Sequence, residues 1–369
     1  MGSTMDGALA TGTAGLGLRG PRRFAGMAAL LAGVAMSWPA AEAAETMLDQ
    51  TGPPYTVAGD FAPGPALDIS GIACMAPDGP LTRCLVINDE GHDAQIATIE
   101  GRRLLPGRLI PLLDGTKVGT PTTGHQCAGF GKTGDLDGEG VAFAAPFFYV
   151  VGSHGCSRKQ GKFRSSSFVL SRIDVGAGGA ALDGDRVKVE ATYRLADALR
   201  AQPRLAPFFA APLDAARNGL NVEGIAVVGH RLYAGLRAPS LDGDAFLVGA
   251  DIAELFRPGG AALPAADAEP GLVTVHLGPN LGIRDLAPLP DGRLIVLAGP
   301  AQEQDLPYRI FIVDPRDGTA RAVGVLPEVR GPDRAGKAEA VVVLSGDRML
   351  VLFDSLPNGG PREYLLPSR

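Results

Sequence analysis

The chain has 369 residues, 46% of them apolar, with 51 glycines and 30 prolines. That supplies enough apolar material for a sizeable core, punctuated by turn formers as in all-β proteins. A formal net charge of −6 gives no general basic surface, which excludes nucleic acid and anionic lipid as general partners.

Residues 1–43 read as an export signal. Arg19, Arg22 and Arg23 make a charged start, an apolar run extends from Ala25 to Trp38, and A-E-A at Ala41–Ala43 is a small-residue cleavage site. The run is short for a membrane span, so no stable membrane anchor is expected. The protein is therefore expected to be periplasmic or secreted. A linker is expected over 44–54, then a single domain over 55–369. Four cysteines fit an oxidising compartment and permit two bridges.

Five related pieces follow: D-I-S-G-I-A-C from Asp68, D-G-E-G-V-A-F from Asp137, N-V-E-G-I-A-V from Asn221, I-R-D-L-A-P-L from Ile283 and K-A-E-A-V-V-V from Lys337. Aligned on Ser70, Glu139, Glu223, Asp285 and Glu339, they are spaced by 69, 84, 62 and 54 residues. Repeats of this size suggest propeller blades with added loops. Each interval holds three more short apolar or alternating runs bounded by Gly, Pro, Asp or Asn. After Glu339 only Arg348–Phe353 and Arg362–Leu366 remain, and Tyr55–Phe61 can supply the missing strand from the other end. The expected fold is an all-β propeller of five four-stranded blades, with six as the alternative, closed by pairing N- and C-terminal strands. A closed ring leaves no open sheet edge. Leu195–Arg200, Pro207–Arg217 and Asp251–Phe256 read as helices, and Gly176–Ala181 and Gly259–Ala268 as flexible loops.

In this architecture the first strand of each blade is innermost. Its start and the end of the second strand share one mouth of the ring. The acidic column then opens on that mouth, and the glycine after it in three repeats lets inner strands crowd together. The second strands end there with Asn88, Asp89, Glu90, Ser153, His154, Arg237, Gly299, Asp354 and Ser355. Cys74 ends an inner strand and Cys84 lies across its hairpin. Cys127 and Cys156 flank the next inner hairpin at the acidic mouth. The expected disulfides are Cys74–Cys84 and Cys127–Cys156, each with Cα atoms about 4.4–6.8 Å apart. A four-cysteine metal site is the weaker alternative, since no CxxC pair exists.

Converging carboxylates require raised pKa values or a cation among them. Calcium suits carboxylates, and Glu139, Glu223, Asp285 and Glu339 are its candidate ligands. The alternative is stitching, in which each acid accepts neighbouring backbone N–H groups or pairs with Arg237, Arg284 or Lys337. The candidate catalytic groups are Glu223, Glu339, His154 and Arg237. His154 is read as a base with a raised pKa or a metal ligand, against a hydrogen-bonded loop histidine. Arg237 is read as an anion clamp. The basic loop Ser157–Arg164 overlooks the same mouth.

Together, D-L-D-G-E-G-V-A, N-G-L-N-V-E-G-I-A-V, G-I-R-D-L-A-P-L and K-A-E-A-V-V-V resemble the uncharacterised family catalogued as domain of unknown function 3616, over about Asp68–Leu366. More loosely they are similar to phytase-like and esterase-like propellers. That looser resemblance implies a central calcium and hydrolysis of phosphate or ester bonds. Only Glu139, Glu223, Asp285 and Glu339 carry over by position; Ser70 and the count of five blades depart from the pattern. Two functions stand from these residues: a calcium-dependent hydrolase, or a non-catalytic propeller that binds a small ligand, a glycan or an exported partner. A monomer is expected.

Overall fold

The structure is a computed structural model that describes Gly2 and residues 46–75, 81–184, 187–264, 267, 271–344 and 347–366. Apart from Gly2, the export signal expected over 1–43 lies outside the described residues. The described residues from 46 on fold into five blades, antiparallel except for a parallel outermost strand in each of the first two. The first contains β1 (Thr56–Val57), β2 (Ile69–Cys74), β3 (Leu81–Asn88), β4 (Asp93–Glu100) and β5 (Arg103–Pro111). The second contains β6 (Thr116–Val118), β7 (Gly138–Ala144), β8 (Phe147–Gly152), β9 (Leu170–Asp174) and β10 (Lys188–Thr192). The third holds β11 (Asn221–Val228), β12 (Arg231–Leu241), β13 (Asp244–Asp251) and β14 (Leu272–His276). The fourth holds β15 (Leu281–Pro288), β16 (Leu294–Pro300), β17 (Arg309–Val313) and β18 (Ala320–Val325). The fifth holds β19 (Lys337–Val343), β20 (Arg348–Asp354) and β21 (Arg362–Leu365).

The inner strands neighbour one another in the order β2, β7, β11, β15, β19 and back to β2, which closes the ring. Hydrophobic side chains form five clusters, one in each interface between blades. Each strand alternates between the two blades flanking it, so both faces of a blade are apolar. This is why the inner strands read as near-continuous hydrophobic runs.

Closure happens in the fifth blade, by a segment upstream of the expected one. Gln50 bridges Tyr364 antiparallel, Thr51 N–H donates to Glu363 O and Leu365 N–H donates to Asp49 O. The stretch expected to close the ring, Tyr55–Phe61, instead places Thr56–Val57 parallel to β5 on the outer edge of the first blade. Further upstream, Met47 bridges Val325 of the fourth blade. One short segment thus staples three outer edges and covers backbone groups that would otherwise be unpaired. Glu363 fixes it: the buried carboxylate accepts from Thr51 Oγ1 at 2.5 Å and Tyr55 Oη at 2.6 Å, and faces Arg102 Nη1 at 3.1 Å.

The expected helix Leu195–Arg200 appears as α1 (Arg194–Arg200), and Asp251 caps α2 (Ile252–Leu255) by accepting from Ala253 N–H at 2.8 Å. Pro207–Arg217 is not a helix. It carries one 3₁₀ turn at Ala206–Phe208 and then irregular turns, because Pro212 lacks a donor and Ala210 takes a left-handed φ of 49°. The two Gly/Ala tracts are also more ordered than composition suggests. Ala177–Asp183 forms 3₁₀ turns, and fully buried Arg194 donates to the carbonyls of Gly259 and Ala261. Residues 265, 266 and 268 of the second tract lie outside the described residues.

Both expected disulfides are present. Cys74 and Cys84 are direct partners across β2 and β3 with Cα atoms 4.0 Å apart, slightly closer than the expected range. Cys127 and Cys156 are 5.6 Å apart. Among the described residues no helix is long and apolar enough to cross a membrane.

Candidate functional site

Every inner strand carries a register irregularity at the same place. Ser70, Glu139, Glu223, Arg284 and Glu339 each lie at the skip in pairing with the second strand. A bulged residue is freed from the ladder and re-aimed, here toward the central mouth. This corrects the sequence alignment by one residue in the fourth blade. Arg284, not Asp285, shares the column with the glutamates. Asp285 shares the column of Gly71, Gly140 and Gly224 instead.

That glycine column is where adjacent inner strands touch. A Cβ on Gly224 would lie 2.6 Å from Asp285 Cα, so a side chain there requires the backbones to part. In the fourth blade the corresponding Asp285 reaches across to the fifth and accepts Val341 N–H at 2.7 Å. Burial pushes its carboxyl well above the usual range despite that bond. Asp285 is thus a strut between blades, the stitching role foreseen as the alternative to metal binding.

With Arg284 in the column, the mouth divides into two halves. In the half formed by blades three to five, Arg284 Nη2 contacts Glu223 Oε2 at 3.2 Å and also Glu339 Oε1. Arg237 Nη1 donates to Glu223 Oε1 at 3.0 Å, and its Nε donates to Ala301 O at 3.0 Å. Burial alone would raise the Glu223 carboxyl, but Arg284 and Arg237 outweigh it and hold it below the usual range. Burial raises Glu339 to about 7, because Glu223 and Asp354 offset part of the pull of Arg284. Lys337 Nζ pairs with Asp354 at 3.3 Å.

In the half formed by blades one and two, Asp89, Asp137 and Glu139 make no ion pair among the described residues. Burial first, then Asp68, Asp137, Glu339 and Asp354, push Asp89 up to about 8. Burial and the neighbouring Glu223, Asp137 and Asp89 raise Glu139 well above the carboxylate range. Asp137 is also raised by burial, against a hydrogen bond from Ser153 Oγ. Ser70, the uncharged member of the column, donates to Asp68 O at 3.3 Å.

His154 sits away from this chemistry. It is fully buried, with a left-handed φ of 53°, and its ring lies 5.6 Å from that of Phe168. Nδ1 meets Gly152 O at 2.8 Å, which fixes the proton there, and burial pushes the pKa down to about 4. The raised pKa expected of a general base is replaced by a neutral, packed imidazole. In the basic loop, Arg158 reaches Glu303 at 3.4 Å and Arg164 pairs with Asp135, so both guanidiniums meet acids.

The four candidate calcium ligands do not fit that ion. Glu223 and Glu339 face guanidiniums, Asp285 faces a backbone amide, and only Glu139 is left with an uncompensated carboxyl. Among the described residues no group of three His, Cys, Asp or Glu side chains could hold a metal ion.

Behind the guanidiniums lies a cavity of about 550 Å³ between the fourth and fifth blades. Arg237 and Arg284 line it, with Leu306, Pro307, Tyr308, Val329 and Phe353 among its walls. Gly299 makes room for the aromatic wall: a Cβ there would lie 2.5 Å from Tyr308 Cε1 and 3.0 Å from Arg284 Cγ. Sequence reasoning placed Arg237, Arg284 and Gly299 at the mouth and missed Tyr308 and the other walls. The signal was the irregular run A-Q-E-Q-D-L-P at 301–307, which separates β16 from β17.

The family model described as protein of unknown function (DUF3616) matches residues 180–359, a narrower span than the sequence resemblance covers. A comparison with curated proteins finds no match. Among solved structures, the chain is similar to a glycosyl hydrolase from Bacteroides ovatus, at 10% identity over 87% of this chain and 94% of that one, with a TM-score of 0.41. It is similar to regucalcin, a calcium-binding protein from Agrobacterium tumefaciens, at 10% identity over 84% and 95% of the two chains, with a TM-score of 0.35. A protein from Lactobacillus plantarum matches at 12% identity and a TM-score of 0.34, over 77% of this chain and 64% of that one. The chain thus spans less than two thirds of that last protein. Likenesses this weak carry nothing about activity.

Proposed function

We propose that this five-bladed propeller, whose second half matches the DUF3616 family model, is an exported protein that holds a small ligand in the cavity between its fourth and fifth blades. The periplasm or the extracellular space is its site of action, in keeping with its two disulfides. One observation carries the reading: two buried guanidiniums, 5% and 2% exposed, line a concave space with apolar walls. Such a space is of ordinary ligand-pocket size, and convergent polar groups at one end fix a ligand's orientation.

The reading is tested by thermal melting of the purified protein against small carboxylic acids, sugars, alcohols and phosphoesters, each also assayed for turnover. A ligand that binds only the folded state raises the melting temperature saturably. At least one compound class is expected to do so without being consumed, and Val329→Trp, which fills the cavity, is expected to abolish the effect. A panel without shifts, or shifts that persist in a folded Val329→Trp protein, contradicts the reading.

The calcium-dependent hydrolase of phosphoesters or esters has less support. It requires Glu223 or Glu339 as ligand or base, and both face guanidiniums. It requires His154 as acid or base, and that ring is packed away from solvent. What favours it is the uncompensated acidity of Asp89, Asp137 and Glu139. Calcium-dependent turnover of a phosphoester or ester in the same panel would favour it over simple binding.

A further inference from the structure

The cavity between the fourth and fifth blades has a polar inner end, apolar walls and acidic outer residues, and this order is informative about what it accepts. Arg284 is 2% exposed and lines the cavity, and its Nε–H has no hydrogen-bond partner among the described residues. A buried donor left unmade costs free energy, so a ligand acceptor placed there is rewarded more than one in water. The Tyr308 hydroxyl beside it has no hydrogen bond among the described residues. Burial pushes its pKa up to about 12, so it acts as a donor at neutral pH. Arg237 Nη2 reaches Gln302 O only at 3.5 Å. All these groups donate.

The walls then turn apolar, through Leu306, Pro307, Val329 and Phe353. The acids that line the cavity, Glu303, Asp305 and Glu328, are all exposed. Glu303 is shared with Arg158, and Glu328 is held by Arg330 at 2.6 Å. Exposed carboxylates at the solvent side disfavour a second negative charge on the ligand.

We propose that this cavity binds an amphipathic monocarboxylate, with the carboxylate on Arg284 and Tyr308 and an aliphatic or aromatic body along Leu306, Pro307, Val329 and Phe353. This rests on the ligand-binding reading above and names its ligand class. A sugar fits the walls poorly, because an apolar lining leaves its hydroxyls unpaired. A dicarboxylate or phosphomonoester brings a second charge toward Glu303, Asp305 and Glu328.

The test is isothermal titration of the purified protein with straight-chain acids from butanoate to octanoate and with phenylacetate. Hexanol and 2-phenylethanol serve as uncharged counterparts, and glucose and succinate as competing classes. The acids are expected to bind, with affinity rising about fourfold per methylene until the cavity is filled. The alcohols are expected to bind at least tenfold more weakly, since a bond to a charged group is the stronger kind. Tyr308→Phe, which keeps the ring, is expected to weaken acid binding about threefold to tenfold. Val329→Trp is expected to abolish it.

Alcohols that bind as tightly as the acids overturn the carboxylate assignment and leave the cavity reading standing. The assignment is equally overturned if glucose or succinate binds in a Val329→Trp-sensitive manner while the monocarboxylates do not, or if no monocarboxylate binds at all. Acid binding that is unchanged in both Tyr308→Phe and a folded Val329→Trp places the ligand elsewhere and overturns both. Should Val329→Trp fail to fold, the Tyr308→Phe comparison and the chain-length series decide.

Discussion

The two halves of the central mouth are built from the same bulged position and reach opposite electrostatic outcomes. In blades three to five, Arg284 and Arg237 interleave with Glu223 and Glu339, holding Glu223 below the usual range and countering part of the rise that burial gives Glu339. In blades one and two, Asp89, Asp137 and Glu139 make no ion pair among the described residues, and burial raises all three carboxyls above the usual range. A ring of carboxylates thus has two physical solutions, a counter-charge or protonation, and this molecule uses one on each side. The difference turns on a single residue: the fourth repeat places an arginine where its neighbours place glutamates.

The strongest way to break this comparison is to remove the counter-charge. Arg284→Met leaves Glu223 and Glu339 buried and facing each other, and stripping one side of a buried ion pair costs about 3–5 kcal/mol. Chemical denaturation of the variant is expected to show a loss of that order. A loss below about 1 kcal/mol would mean that the paired half is no more dependent on its cations than the other.

The protonated half is sharpened by pH. Asp89 has a folded-state pKa of about 8, above its unfolded value. Its contribution is therefore fully present below the unfolded pKa and is lost as pH rises through about 8. Between its unfolded value near 3.8 and about 8, Asp89 contributes a slope of up to about 1.4 kcal/mol per pH unit, which vanishes above that window. The melting temperature of the native protein is expected to fall between about pH 5 and pH 8, and Asp89→Asn is expected to flatten that fall. An unchanged slope in the variant would assign the fall to other groups.

The smallest effect belongs to the exposed tie across the mouth. Arg158 and Glu303 are 51% and 79% exposed, so Arg158→Ala is expected to change stability by less than about 1 kcal/mol, and by less still at high salt. A larger loss in denaturation would make the loop Ser157–Arg164 a structural bracket.

Much of the fold was legible in the sequence because blade strands are short, apolar and bounded by turn formers. The expected runs at Arg348–Phe353 and Arg362–Leu366 fall on β20 and β21 of the fifth blade. The disulfides were legible because residues across a hairpin are fixed by register, as Cys74 and Cys84 are. The site was less legible. Aligning I-R-D-L-A on its acid placed Asp285 in the column, since residue type was the only guide. The backbone register that selects Arg284 depends on where each strand bulges. The closing segment was displaced for a related reason. Tyr55 does reach the fifth blade, through its hydroxyl on Glu363 and its N–H on Pro361 O at 3.1 Å, while the strand bridge belongs to Gln50. The cavity walls lie partly in irregular connections, where no periodicity reveals which way a side chain faces.

The central claim is that guanidiniums, not a metal ion, neutralise Glu223 and Glu339. The most direct test is a calcium titration into the EDTA-treated protein, followed by thermal melting, beside Glu223→Gln. The result expected here is no saturable rise in melting temperature in either protein. A saturable rise that Glu223→Gln abolishes would contradict the claim and place a cation where Arg284 and Arg237 now stand.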